Sequence, residues 1–83
     1  MTDEIRQIIK QHGRLPADVD SLPVDADLYA AGMSSHARIN VMLALESHFD
    51  VELPDRMLTR DVFESIASIE AALTELCAES TAR

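Results

Sequence analysis

Tryptophan is missing from this chain, and aromatic residues make up only 4% of it. Its 47% hydrophobic content therefore rests on Leu, Ile, Val, Met and Ala, a set that packs most readily as helix on helix. Cys77 is the single cysteine, which excludes an internal disulfide and points to a reducing, cytoplasmic compartment. Long apolar runs are missing as well. The longest, Val41-Met42-Leu43-Ala44-Leu45, falls far short of a membrane span. Asp3, Glu4, Arg6 and Lys10 break every apolar stretch near the start, so no secretory signal is read there and no membrane role is expected. Basic residues are scarce, seven against fifteen acidic ones, for a formal charge of −8. That balance repels phosphate backbones and excludes nucleic acid as the expected partner. It favours solubility and steers the chain towards partners with basic surfaces. Residues 1–83 make one domain, near the lower limit for an unaided apolar core. A monomer is expected, with an ordered core over about 2–77 and a polar, fraying tail over 78–83.

Three stretches carry helical periodicity. In the first, Thr2 reads as the N-cap, Asp3 and Glu4 favour the positive end of the helix dipole, and Ile5, Ile8 and Ile9 face inward. Gly13 then offers a left-handed stop. Residues 14–33 lose periodicity, and Pro16, Pro23 and Gly32 punctuate a loop of about twenty residues, long by ordinary standards. Leu22, Val24, Leu28 and Tyr29 are its available anchors, and a turn of helix is expected over 26–31. Ser34 and Ser35 open the second helix, which runs to about Phe49 with Met42, Leu45 and Phe49 as its core stripe and Val41 beside it. Pro54 breaks the pattern. A short helical segment follows over 56–61, and Ser65 caps a last helix whose Ile66, Ile69, Leu73 and Leu76 share one face. The fold class is all-α, a bundle of three main helices plus one short one.

Conventional catalytic sets are weak here. His36 adjoins Ser35, but helix neighbours point in different directions, and no acid stands ready to orient the imidazole. His12, His36 and His48 lie on separate segments and, with one cysteine, make no zinc signature. Asp18, Asp20, Asp25 and Asp27 lack the central glycine of a calcium loop, and the twelfth position from Asp18 is Tyr29 where a bidentate Glu is needed. No catalytic or metal-binding residue is read, and the chain is expected not to be an enzyme.

The segment Gly32-Met33-Ser34-Ser35-His36, leading to Ala44-Leu45-Glu46-Ser47-His48-Phe49 and then Leu53-Pro54-Asp55, resembles the attachment region of acyl and peptidyl carrier proteins. The resemblance spans nearly the whole chain. It implies a 4'-phosphopantetheine arm on Ser35, added by a phosphopantetheinyl transferase. The residues agree independently: a helix N-terminus favours a phosphodiester, and Gly32 permits a tight exposed loop before it. Ser34 or Ser35 could also be simply an N-cap. The helix-two run, with Pro54-Asp55-Arg56-Met57-Leu58 and Phe63-Glu64-Ser65-Ile66, is most similar to bacterial aminoacyl carrier proteins. That resemblance implies loading with a small amino acid, glycine or alanine, as a thioester. The loading enzyme would be a seryl-tRNA synthetase-like amino acid:carrier protein ligase, and the downstream acceptor is left open. His36, Ala37, Arg38 and Asn40 replace the acidic pattern of fatty-acid carriers, which argues against those enzymes as partners.

A docking partner would read His36, Ile39, Asn40, Leu43, Glu46 and Ser47, with Met57 and Leu58 either completing an apolar patch or closing the core. Ile39 and Leu43 are themselves either patch or core. The alternatives are an acyl carrier of a fatty-acid or polyketide-type pathway, and a helical adaptor without covalent cargo.

Overall fold

The structure is a computed structural model that describes residues 1–16 and 18–81, with side chains described through Cys77. Helix α1, Thr2–His12, buries Ile5, Ile8 and Ile9 on one face, as their spacing dictates. Its cap differs from expectation. Met1 holds the N-cap position without a side-chain bond, while the Thr2 hydroxyl donates across the bundle to the Glu70 carboxylate. Gly13 is right-handed (φ −79°), and the left-handed residue is Arg14 (φ 53°). Glycine is required at 13 for space instead: a Cβ there would stand 2.7 Å from the Ile9 carbonyl oxygen.

The long loop is pinned by backbone and by Arg6. The Arg6 guanidinium donates to the carbonyls of Val19 (2.8 Å) and Leu22 (2.7 Å) around a 3-10 turn, Val19–Ser21. The Leu28 N–H donates to the Glu64 carbonyl at 2.7 Å, and the Ala67 N–H to the Val24 carbonyl at 2.8 Å. Leu28 is fully buried and Leu22 and Tyr29 pack beside the core, but Val24 stays exposed. Val19 and Met33 are the further buried anchors. Residues 28–31 form a single turn, closed by the Ala31 N–H on the Asp27 carbonyl at 3.0 Å, in place of a longer helix. The Asp27 carboxylate caps this turn at its start, accepting the N–H groups of Tyr29 and Ala30. Asp18 does the same for Asp20, which accounts for two of the loop aspartates without a metal.

Helix α2, Ser35–Phe49, turns its buried stripe through Ala37, Val41 and Leu45. This corrects the stripe expected from the sequence: Met42 and Phe49 flank it and are only partly buried. Asp50 ends the helix left-handed (φ 53°), its N–H bonded to the Glu46 carbonyl. The expected short helix over 56–61 is a 3-10 turn, Asp55–Met57, followed by further turns. Helix α3, Ile66–Thr81, buries Ile66, Ile69, Leu73 and Leu76 as expected. Its backbone is helical to Thr81; Ala82 and Arg83, at the end of the tail expected to fray, lie outside the described residues. Helix α1 packs against both α2 and α3, which leaves the opposite face of α2 open to solvent.

Candidate functional site

The start of α2 divides its two serines between two roles. Ser34 is extended (φ −79°, ψ 166°), and its hydroxyl oxygen accepts the Ala37 N–H at 3.1 Å, so it is the N-cap. Ser35 is the first helical residue. It is exposed, and among the described residues its hydroxyl makes no hydrogen bond. The loop before them is held by Gly32 at φ +118°, a conformation that side chains rarely adopt. A Cβ on Gly32 would also come within 2.7 Å of the Pro16 ring, so the start of the loop packs against its end at Gly32. The first turn of α2 holds no carboxylate, in a chain of net charge −8. An anion on Ser35 would meet free N–H groups and a favourable dipole with no acid in that turn.

Beyond Ser35 the exposed side of α2 forms a continuous strip. At about 100° per residue, Ser35, Glu46, Ile39, Leu43, His36, Ser47 and Asn40 occupy one arc. Ile39 and Leu43 are 46% and 53% exposed, which settles them as patch rather than core. Leu58, 38% exposed, stands near Ile39 across a small hollow lined also by Arg38, Met42 and Phe63. Met57 does not belong with them. At 3% exposure it points into the core, because the 3-10 turn that presents Leu58 turns its predecessor inward. Glu46 is half-buried and structurally engaged, its carboxylate accepting the Leu53 N–H at 2.8 Å. Asn40, Leu43 and Ser47 face the other way, towards a shallow depression shared with Ile8, Gln11 and His12 of α1. Sequence reading missed the hollow. Phe63 and Leu58 come from a segment without periodicity, and nothing in their spacing signals that they approach α2.

Three comparisons bear on this geometry. The phosphopantetheine attachment site family matches residues 3–73. The chain belongs to that family. Its members carry 4'-phosphopantetheine bound covalently to a serine, and they are carriers rather than enzymes. Within the family it is 49% identical, over 70 residues and 84% of each chain, to an aminoacyl carrier protein of Agrobacterium fabrum. It also matches a crystal structure in which an engineered Bradyrhizobium japonicum glycine:[carrier protein] ligase is complexed with a carrier protein from Agrobacterium tumefaciens and AMP. That match has a TM-score of 0.87 at 46% identity, covering 89% of this chain and 99% of the other. A solution structure of an Agrobacterium tumefaciens protein matches at a TM-score of 0.78 and 42% identity over the whole of both chains.

The residues fit the family's prosthetic group. An exposed, unbonded hydroxyl at a helix N-terminus without a nearby acid in its own turn is what a phosphodiester requires. Among the described residues no group of His, Cys, Asp and Glu could hold a metal ion, and no helix is long and apolar enough to cross a membrane. Cys77 is half-buried on α3.

Proposed function

We propose that this chain is a single-domain aminoacyl carrier whose arm is attached at Ser35 by a phosphopantetheinyl transferase. The observation that carries the reading is the division of labour at the start of α2: Ser34 caps the helix, leaving the Ser35 hydroxyl exposed and uncommitted. The arm supplies a terminal thiol that holds an acyl group as a thioester. The protein's own part is to present that thiol, to keep Ser35 reachable and to offer the strip around Ile39 and Leu43 to partners.

The proposed cargo is a small amino acid, glycine or alanine, delivered with ATP and magnesium by a seryl-tRNA synthetase-like amino acid:carrier protein ligase. Two features support a small cargo over a long acyl chain. The carrier protein from Agrobacterium tumefaciens is complexed with an engineered glycine:[carrier protein] ligase. The hollow lined by Arg38, Ile39, Met42, Leu58 and Phe63 is small, about 30 Å³, which favours a small cargo over a long acyl tail. His36, Ile39, Asn40, Leu43, Ser47 and Leu58 form the proposed docking surface. Glu46 lies at its edge, with its carboxylate occupied by Leu53.

The test offers the arm-bearing protein both to a glycine:carrier protein ligase and to fatty-acid synthase enzymes, and follows acylation by intact mass. Aminoacyl loading with poor malonyl loading is the expected result. Efficient malonyl loading without aminoacyl loading would move the chain to the acyl carrier class.

A further inference from the structure

Arg38 breaks a local rule. It sits one turn into α2, where the helix dipole favours anions and resists cations, and it does so in a chain with few cations to spend. Apart from Arg14, which is exposed on the loop, the other described Lys and Arg side chains are committed elsewhere. Arg6 holds the Val19 and Leu22 carbonyls, Lys10 pairs with Asp20, Arg56 lies 3.3 Å from Glu75, and Arg60 stacks 4.0 Å from the Tyr29 ring centroid. Arg38 makes no ion pair with any described residue, although it is half-buried. Its stem instead lines the hollow with Ile39, Met42, Leu58 and Phe63. Local rules are broken most often where function requires it.

Helix geometry says what Arg38 faces. Residues three apart are neighbours on the helix surface, and each Cα–Cβ bond tilts towards the N-terminus. A long side chain at 38 therefore leans back over the turn that holds Ser35. We propose that Arg38 is a positioning residue for the arm: its guanidinium pairs with the phosphodiester on Ser35 and holds the first, dimethyl-bearing segment of the arm over the hollow. The planar fork of arginine suits a phosphate, and the hollow beside it is lined by the apolar side chains of Ile39, Met42, Leu58 and Phe63. An unfavourable cation in the unmodified helix becomes a favourable partner once the anion is in place. This inference rests on the assignment of the arm to Ser35.

Wild type, Arg38→Gln and Arg38→Lys are each converted with coenzyme A and a transferase. Intact mass is read before anything else, and all three should gain one arm. Phosphorus and methyl NMR are then recorded for the unmodified and arm-bearing forms. In wild type, arm addition should shift the Ile39, Met42 and Leu58 methyl signals. The phosphorus signal should move as salt rises from about 0.01 M to about 1 M, where screening shortens to about 3 Å. Arg38→Gln should lose both effects, and Arg38→Lys should keep part of the salt response without the full methyl shifts. Identical phosphorus and methyl responses in wild type and Arg38→Gln would overturn the proposal while leaving the Ser35 assignment intact. If that variant also lost ligase loading, Arg38 would belong to the docking surface instead. Absence of any arm on wild type would overturn the Ser35 assignment, and this inference with it.

Discussion

Both α2 and α3 begin at serines, and the two beginnings are built differently. At α3 the serines close on each other. The Ser65 N–H donates to Ser68 Oγ at 3.0 Å, the Ser68 N–H donates to Ser65 Oγ at 3.1 Å, and the Ser68 hydroxyl donates to the Val62 carbonyl at 2.7 Å. This is a capping box with serine in the place usually held by Glu or Gln, half-buried and with every hydroxyl occupied. At α2 only Ser34 is engaged, and Ser35 stands exposed beside it. The same residue type serves purely as structure at one terminus and is left available for chemistry at the other. What distinguishes them is the account of hydrogen bonds, not the motif.

The largest effects should come from the core beneath these caps, where the two helices ought to respond alike. Leu45→Ala and Ile66→Ala, both fully buried, should each cost about 2–5 kcal/mol in denaturant melts. Phe49→Ala should cost less than Leu45→Ala, since Phe49 only flanks the core. Equal losses would show that the α2 stripe runs differently from Ala37, Val41 and Leu45.

Next comes the patch that α2 has and the comparison helix does not use. Leu43→Asp should lower ligase loading by roughly tenfold, about 1–2 kcal/mol, while the melt stays unchanged. Normal loading in that variant would remove Leu43 from the docking surface. The caps should show smaller effects still. Ser34→Ala and Ser65→Ala should each cost about 1 kcal/mol, and neither should prevent arm attachment.

The smallest effect concerns Glu4, whose carboxyl is held below its usual pKa chiefly by the hydrogen bond with His48, 2.7 Å away across the α1–α2 seam. A lowered carboxyl contributes stability that is present above the ordinary carboxylate range and is lost as pH falls through the lowered value. The pair is exposed, so the contribution is small. Glu4→Gln should flatten the acid side of the stability profile slightly. A difference from wild type that grows on acidification would contradict this.

Much of this was legible in the sequence, and the failures have physical causes. Ile66, Ile69, Leu73 and Leu76 were readable because a helical period repeats over four turns. The opening of α2 was readable because serine caps have a known chemistry. Ala37 escaped the predicted core because a small side chain carries little hydropathy weight, yet it lies 3% exposed under the cap. Gly13 misled because a sequence does not distinguish a glycine needed for left-handed backbone from one needed for close approach to a carbonyl. Met57 and Leu58 lie in a 3-10 turn with no period to assign a face, so one being buried and the other exposed emerged only in three dimensions. The hydrogen bonds of Arg6, and the meeting of Pro16 with Gly32, join residues far apart in the chain and leave no local trace.

The central claim is that Ser35, not Ser34, bears the arm. Wild type, Ser34→Ala and Ser35→Ala should be incubated with coenzyme A and a phosphopantetheinyl transferase, and the products read by intact mass and peptide mapping. The account predicts a single arm on wild type at Ser35, a largely normal gain on Ser34→Ala and none on Ser35→Ala. Modification that persists in Ser35→Ala, or that disappears in a folded Ser34→Ala, would contradict it.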